Sequence, residues 1–109
     1  MDSKKFKEIF DESVARRWSL LDLKNSEYTR GDNRFQSFDE QAAFDGSTPI
    51  HELWHGLKKH LQSIKNLVKD DEKEPDCYPN MEIWIERLDD ARNYLDLLEG
   101  LVRRKIQKI

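Results

Sequence analysis

Glu86, Asp90 and Asn93 are three residues whose types and spacing could do chemistry together. A residue advances ~100° around an α-helix, so positions four and seven apart return to one face. Two carboxylates and an amide suit a hard cation such as Mg²⁺, or the hydroxyls and amino groups of a nucleotide. Ile83, Arg87, Asp90, Tyr94, Leu97 and Leu101 also fall on one mixed face, which puts Asp90 between apolar neighbours. A carboxylate there is costly unless it is paired or bound to metal. Two plainer readings compete. Asp90 could pair with an arginine or lysine of another helix, or Asp89 to Asn93 could be a solvated face.

A second pattern is His51-Glu52-Leu53-Trp54-His55, which fits the H-E-x-x-H motif of zinc proteases. Helical phase argues against that use. Ile50, Leu53, Leu57, Leu61, Ile64 and Val68, with Trp54 and Leu67 beside them, make one apolar stripe. With Leu53 at zero the stripe centres on ~30°, and His51 and His55 fall at ~160° and ~200°, facing water. A zinc protease needs a third ligand and a substrate cleft beside a sheet edge. Here His60 follows His55 by five residues, Gly56 is adjacent, and no stretch reads as a strand. At most the pair is an adventitious surface chelate. His60 falls at ~-20°, inside the stripe. It reads as a hydrogen-bonded core residue, or with Lys59 as a pair greeting an anion between helices.

These side chains need helices to position them, and the composition supplies helices. Charged residues make up 38% of the 109, and the hydrophobic class 37%, a balance that fits amphipathic helices with solvated outer faces. Four glycines and three prolines are too few for the many turns of an all-β chain. The length suits one domain, 1–109. A net charge of -3 argues against nucleic acid as partner. The single cysteine, Cys77, excludes an intrachain disulfide and points to a reducing compartment. The N-terminus lacks the apolar core of a signal peptide, and no apolar run approaches ~18 residues, so no membrane role is expected. The expectation is a cytoplasmic protein. The Arg30-Gly31-Asp32 triplet reads as chance in such a chain.

The pattern predicts a helix over 3–24, on which Phe6, Phe10, Val14, Trp18 and Leu21 recur at 3–4 spacing. A polar loop follows, dense in groups that read phosphates and bases: Lys24, Glu27, Tyr28, Asp32 and Arg34. Phe35 and Phe38 tie it to something apolar, and a short helix over 39–44 starts at Asp39 as its cap. Thr48 before Pro49 signals the next helix, 49–68. A charged loop, 69–79, leads to a helix over 80–108 with Asn80 as cap. There Trp84, Leu88, Ala91, Leu95, Leu98 and Val102 form a stripe close to a heptad repeat. At ~1.5 Å per residue this helix spans ~43 Å against ~30 Å for its neighbour. Its end near Leu98, Leu101, Val102 and Ile106 therefore needs cover, which predicts a homodimer.

Four short motifs occur in order: K-N-S-E-Y from Lys24, D-N-R-F-x-x-F from Asp32, K-H-L-x-S-I from Lys59 and E-x-x-x-D-x-x-N-Y-L from Glu86. This order resembles the phage nucleotide-modification-associated proteins, which look like relatives of the MazG-like all-α NTP pyrophosphatases. The resemblance covers residues 18 to 102. It implies an all-α helical bundle of three main helices plus one short helix, completed by dimerisation. It also implies Mg²⁺-dependent hydrolysis of a nucleoside triphosphate between the α and β phosphates. Glu86 and Asp90 stand for the acidic cluster of the later helix, one residue wider than E-x-x-D. The earlier helix has Lys58, Lys59 and His60 where the family has acids. The expected roles are Glu86 and Asp90 for Mg²⁺ or a base, Asn93 for a base or ribose, and Lys24, Arg34 and Lys59 for phosphate. His60, Glu27 and Tyr28 would orient these groups. The other class is a non-catalytic small phage protein that binds and inhibits a host or phage protein.

Overall fold

The computed structural model of the chain describes residues 1–28 and 32–107, the side chains of residues 26–28 excepted. The described residues form four helices and no strand: α1 (Ser3–Tyr28), α2 (Gln36–Asp45), α3 (Pro49–Lys73) and α4 (Met81–Gln107). The all-α expectation holds. None of these helices is long and apolar enough to cross a membrane. The chain divides into two compact units, Met1–Ser37 and Phe38–Ile109.

Local chemistry explains the helix ends. Asp2 Oδ1 accepts the Lys5 amide at 2.8 Å and opens α1. No glycine or proline precedes Gly31, and α1 runs to Tyr28, one turn beyond Lys24. Asn33, not Asp39, opens α2: its Oδ1 accepts from the Phe35 amide at 3.1 Å and its carbonyl from the Gln36 amide at 3.1 Å. Asp39 then lies inside the helix, and its carboxylate turns to another partner. Gly46, at φ +67°, closes α2 in the left-handed conformation, and the Ser47 amide reaches back to the Ala42 carbonyl at 2.9 Å. Thr48 Oγ1 caps α3 by accepting the His51 amide at 3.1 Å, with Pro49 in the first turn. Residues 69–73 are charged yet helix-competent, so α3 continues past Val68 to Lys73, and Pro75 is the first breaker it meets. Asn80 Oδ1 accepts the Ile83 amide at 3.4 Å at the start of α4.

In the first unit Arg34 folds back on α1. Its Nη1 donates to the Leu21 carbonyl at 3.2 Å, and its guanidinium lies 5.5 Å from the Trp18 ring centroid. The ridge Phe6, Phe10, Val14 and Trp18 is exposed.

In the second unit α3 and α4 run antiparallel. His60 and Gly56 both meet Tyr94, and Arg87 Nη1 donates to the Ser63 carbonyl at 3.4 Å. Ile50 and Leu101 line one cleft near one end of the pair, and Leu67 and Trp84 another near the far end. Leu53, Leu57 and Leu101 are the fully buried side chains. Phe38 of α2 meets Tyr94 edge-on at 6.0 Å, and Asp39 takes a two-pronged bond from Arg104 at 2.7 and 3.0 Å. That pair holds the Arg104 guanidinium above its usual pKa through the hydrogen bond first, with burial opposing and the Asp39 charge adding.

The contact of α4 with α3 is centred off the heptad stripe, although Ala91 of that stripe is buried, Trp84 shares a cleft with Leu67, and Ile83 of the mixed face is exposed. Its centre is the mixed face, with Leu101 buried and Arg87, Asp90, Tyr94 and Leu97 half-buried. The heptad stripe leaves Leu95 and Val102 exposed. Gly56 explains the choice. A Cβ there would lie 2.6 Å from Tyr94 Cε2 and 3.3 Å from its Cζ and Oη. The bare glycine lets the phenol ring sit against the α3 backbone. The ring cannot step aside cheaply, because Phe38 and His60 flank it. Gly56→Ala gains ~1 kcal/mol of helix propensity but forces an overlap that costs ~1–3 kcal/mol. Chemical denaturation should show a net loss of about 1 kcal/mol. A more stable variant would show that the ring is not fixed against α3.

Candidate functional site

On α4, Glu86, Asp90 and Asn93 share a flank but sit at three depths. Glu86 is exposed, Asp90 half-buried and Asn93 buried at 5%. The carboxamide Oδ1 of Asn93 is buried and has no hydrogen-bond partner. Asp89 is also buried, at 3%, and accepts a bond from Arg92 Nη1 at 3.2 Å. An arginine one turn on thus compensates a carboxylate that would otherwise be costly to desolvate.

Tyr94 joins this flank to α3. The His60 ring meets it edge-on at 4.5 Å between centroids. Burial first, and then the negative charge of Asp90, push its phenol above the usual 10.0. His60, Tyr94 and Asp90 are therefore one contiguous group spanning the two helices. His60 is half-buried, as its phase on α3 predicts, and its neighbour is an aromatic ring. Lys59, the next residue back, is exposed.

The remaining expected site residues belong to the first unit. Lys24 is exposed on α1, and Arg34 has one nitrogen on the Leu21 carbonyl and one face on Trp18. Glu27 and Tyr28 fall in the last turn of α1, but their side chains lie outside the described residues. His51 and His55 are exposed, as their phase requires. Among the described residues no three His, Cys, Asp or Glu side chains are grouped to hold a metal ion.

Clefts open at both ends of the α3–α4 pair. One, of about 180 Å³, lies where α3 ends and α4 begins, between Leu67, Asp70, Tyr78 and Trp84. The other, of about 210 Å³, lies at the start of α3 between Pro49, Ile50, Leu101 and Arg104. Neither includes Glu86, Asp90, Asn93 or Lys59.

Sequence reasoning missed two members of this region. Asp89 read as part of a solvated face, because its phase is far from both apolar stripes. Tyr94 read as one member of a mixed face, whereas it is the joint. A glycine in mid-helix, Gly56, was the available signal, since such a residue often marks a close approach.

Comparison with family models, with curated proteins and with solved structures returns no match for this chain.

The Tyr94 shift carries a pH consequence. The folded state holds the phenolic proton more tightly than the unfolded chain does. Its contribution to stability is complete below pH ~10 and is lost as pH rises through the higher folded value. Asp90→Asn removes the second cause of the shift and leaves burial. The chain has three tyrosines, so the difference between variant and parent isolates Tyr94. In a spectrophotometric phenolate titration Tyr94 should ionise at lower pH in Asp90→Asn than in the parent, yet still above the ordinary value. Superimposable curves would show that Asp90 does not act on the phenol.

Proposed function

We propose that the chain binds a nucleotide together with Mg²⁺ on the α4 flank that carries Glu86, Asp90 and Asn93. The observation behind this reading is Asn93. A buried acceptor without a partner costs ~1–3 kcal/mol, and such an orphan calls for a functional or solvent partner. A base amino group or a ribose hydroxyl is a donor of the right kind for its Oδ1, and because that oxygen is buried the ligand reaches it only when the cover over Asn93 opens.

Glu86 and Asp90, one turn apart, would hold the ion. The donor set fits Mg²⁺, which keeps several waters and takes one or two carboxylates plus substrate phosphates instead of an all-protein cage. When bound, the ion offsets phosphate charge. Lys59 on the neighbouring helix supplies a cation for phosphate, and His60 braces Tyr94 beside Asp90. The resemblance of the four ordered motifs to MazG-like proteins supports the same ligand class and makes pyrophosphate release the activity to assay.

The second reading is a non-catalytic protein that binds and inhibits a host or phage protein. The exposed ridge Phe6, Phe10, Val14 and Trp18 on α1 favours it, because large apolar side chains at four-residue spacing form the anchor set of a helix that docks in a groove.

Thermal denaturation with nucleoside triphosphates, with and without Mg²⁺, separates the two. A ligand at 100 times its dissociation constant adds ~2.7 kcal/mol to stability, which at ~4–8 °C per kcal/mol for a domain of this size raises Tm by ~10 °C or more. We expect that rise with Mg²⁺ present, and its loss in Asp90→Asn and Asn93→Ala with helical circular dichroism retained. No shift with any nucleotide, alongside an unchanged parent fold, would contradict the nucleotide reading and leave the α1 ridge as the functional surface.

A further inference from the structure

We propose that the outward face of α3 is a binding surface for the phosphate backbone of duplex DNA. This goes beyond the nucleotide reading and does not depend on it.

With Leu53 at zero, the sector of α3 between ~120° and ~240° points away from buried Leu53 and Leu57. It carries Lys58, Lys59, Lys65, Lys69 and Lys73, all exposed. Exposed His51 and His55 continue the line to the start of the helix, and their imidazoles add charge when protonated. The other two residues of the sector are Gln62 and Asn66, also exposed. No carboxylate falls within it. The four acids of α3 lie outside: Glu52 and Asp70 at ~260°, Asp71 at ~0° and Glu72 at ~100°. Glu52 accepts the Ser47 hydroxyl.

This line of charge is not balanced on the protein itself. Lys5, Lys7, Arg92, Arg103 and Arg104 are each paired with a carboxylate. Among the described residues none of the five α3 lysines is in an ion pair. Lys65, Lys69 and Lys73 recur every four residues, a spacing at which like charges oppose the helix. A ligand that supplies the counter-charge relieves that repulsion. The net charge of -3 is an average over the chain and hides the line. A row of one sign attracts a polyanion, and the acidic remainder of the chain turns the same polyanion away from other faces.

Shape and side-chain type favour duplex DNA. From His51 to Lys73 the line runs ~33 Å at ~1.5 Å per residue, about one ~34 Å turn of the duplex. A helix ~10–12 Å across fits the ~12 Å major groove of B-DNA. The deep, narrow major groove of duplex RNA does not admit it. In that seat Lys58 and Lys65 on one edge of the sector, and Lys59 on the other, meet the phosphates of the two groove walls. Gln62 and Asn66 lie near the midline, joined by a 3.0 Å bond from Gln62 Nε2 to Asn66 Oδ1. Such amides pair with base edges. A lipid surface fits less well, because a helix lying in it must insert apolar side chains and this sector has none.

Fluorescence anisotropy with a labelled duplex of about 20 base pairs, titrated across about 50 to 200 mM salt, tests the proposal. One phosphate contact per lysine gives a slope of log affinity against log salt of about -4 to -5. Lys58→Gln, Lys65→Gln and Lys69→Gln combined should flatten that slope by about 3, and Lys65→Gln alone by about 1, with helical circular dichroism and Tm retained. Lys4→Gln, Lys5→Gln and Lys7→Gln combined change the net charge equally and should leave affinity and slope as in the parent. A parent that does not bind the duplex at the lowest salt overturns the proposal. So does an equal loss in the two triple variants, which makes net charge the cause. Tighter binding to single-stranded DNA of the same length, or to phosphatidylserine vesicles, overturns it as well.

Discussion

The contact of the Tyr94 ring with the bare backbone at Gly56 sets the architecture of the larger unit. It decides which side of α4 turns towards α3. With the ring seated there, Leu101 enters the core and Asp90 is held beside a phenol whose ionisation it opposes. Phe38 closes on the same ring from α2, and Arg104 anchors that helix through Asp39. The same choice turns Leu95 and Val102 outwards. The open seam and the half-buried site flank are therefore two results of one packing decision.

Much of this was legible in the sequence. The helical class, the Thr48-Pro49 start, the Asn80 cap and the outward phase of His51 and His55 all follow from residue type and period. Those signals are local, and local chemistry decides them. The ends of α1 and α3 were less legible, because charged residues such as Asp70 to Lys73 are compatible with both helix and loop. Asn33 displaced Asp39 as the cap of α2 because Arg104, 65 residues further along, supplies the Asp39 carboxylate with a better partner. No local pattern carries such a pairing.

The heptad stripe of α4 is the instructive case. Trp84, Leu88, Ala91, Leu95, Leu98 and Val102 have the composition of a core seam, yet only Ala91 among them is buried, while the contact with α3 is carried by Arg87 and Tyr94. Hydrophobic period reports how much of a helix wants cover, not which neighbour supplies it. Polar members are tolerated in the α3–α4 seam because each contributes a specific contact: Arg87 reaches the Ser63 carbonyl, and Tyr94 fills the space a side chain at Gly56 would take. The site residues were legible as a group on α4, but their depths were not. Asn93 is buried and Glu86 exposed, a difference that helical phase on α4 alone does not fix.

The most direct test of this account is a double-mutant cycle between Gly56→Ala and Tyr94→Leu, read by equilibrium denaturation. If the ring is what excludes a side chain at residue 56, alanine should be destabilising beside tyrosine but neutral or stabilising beside leucine, where its helix propensity of ~1 kcal/mol is free to act. The coupling energy should then exceed ~1 kcal/mol, as for residues in direct contact. Equal effects of Gly56→Ala in both backgrounds, with a coupling near zero, would contradict the claim that this contact fixes the α3–α4 seam.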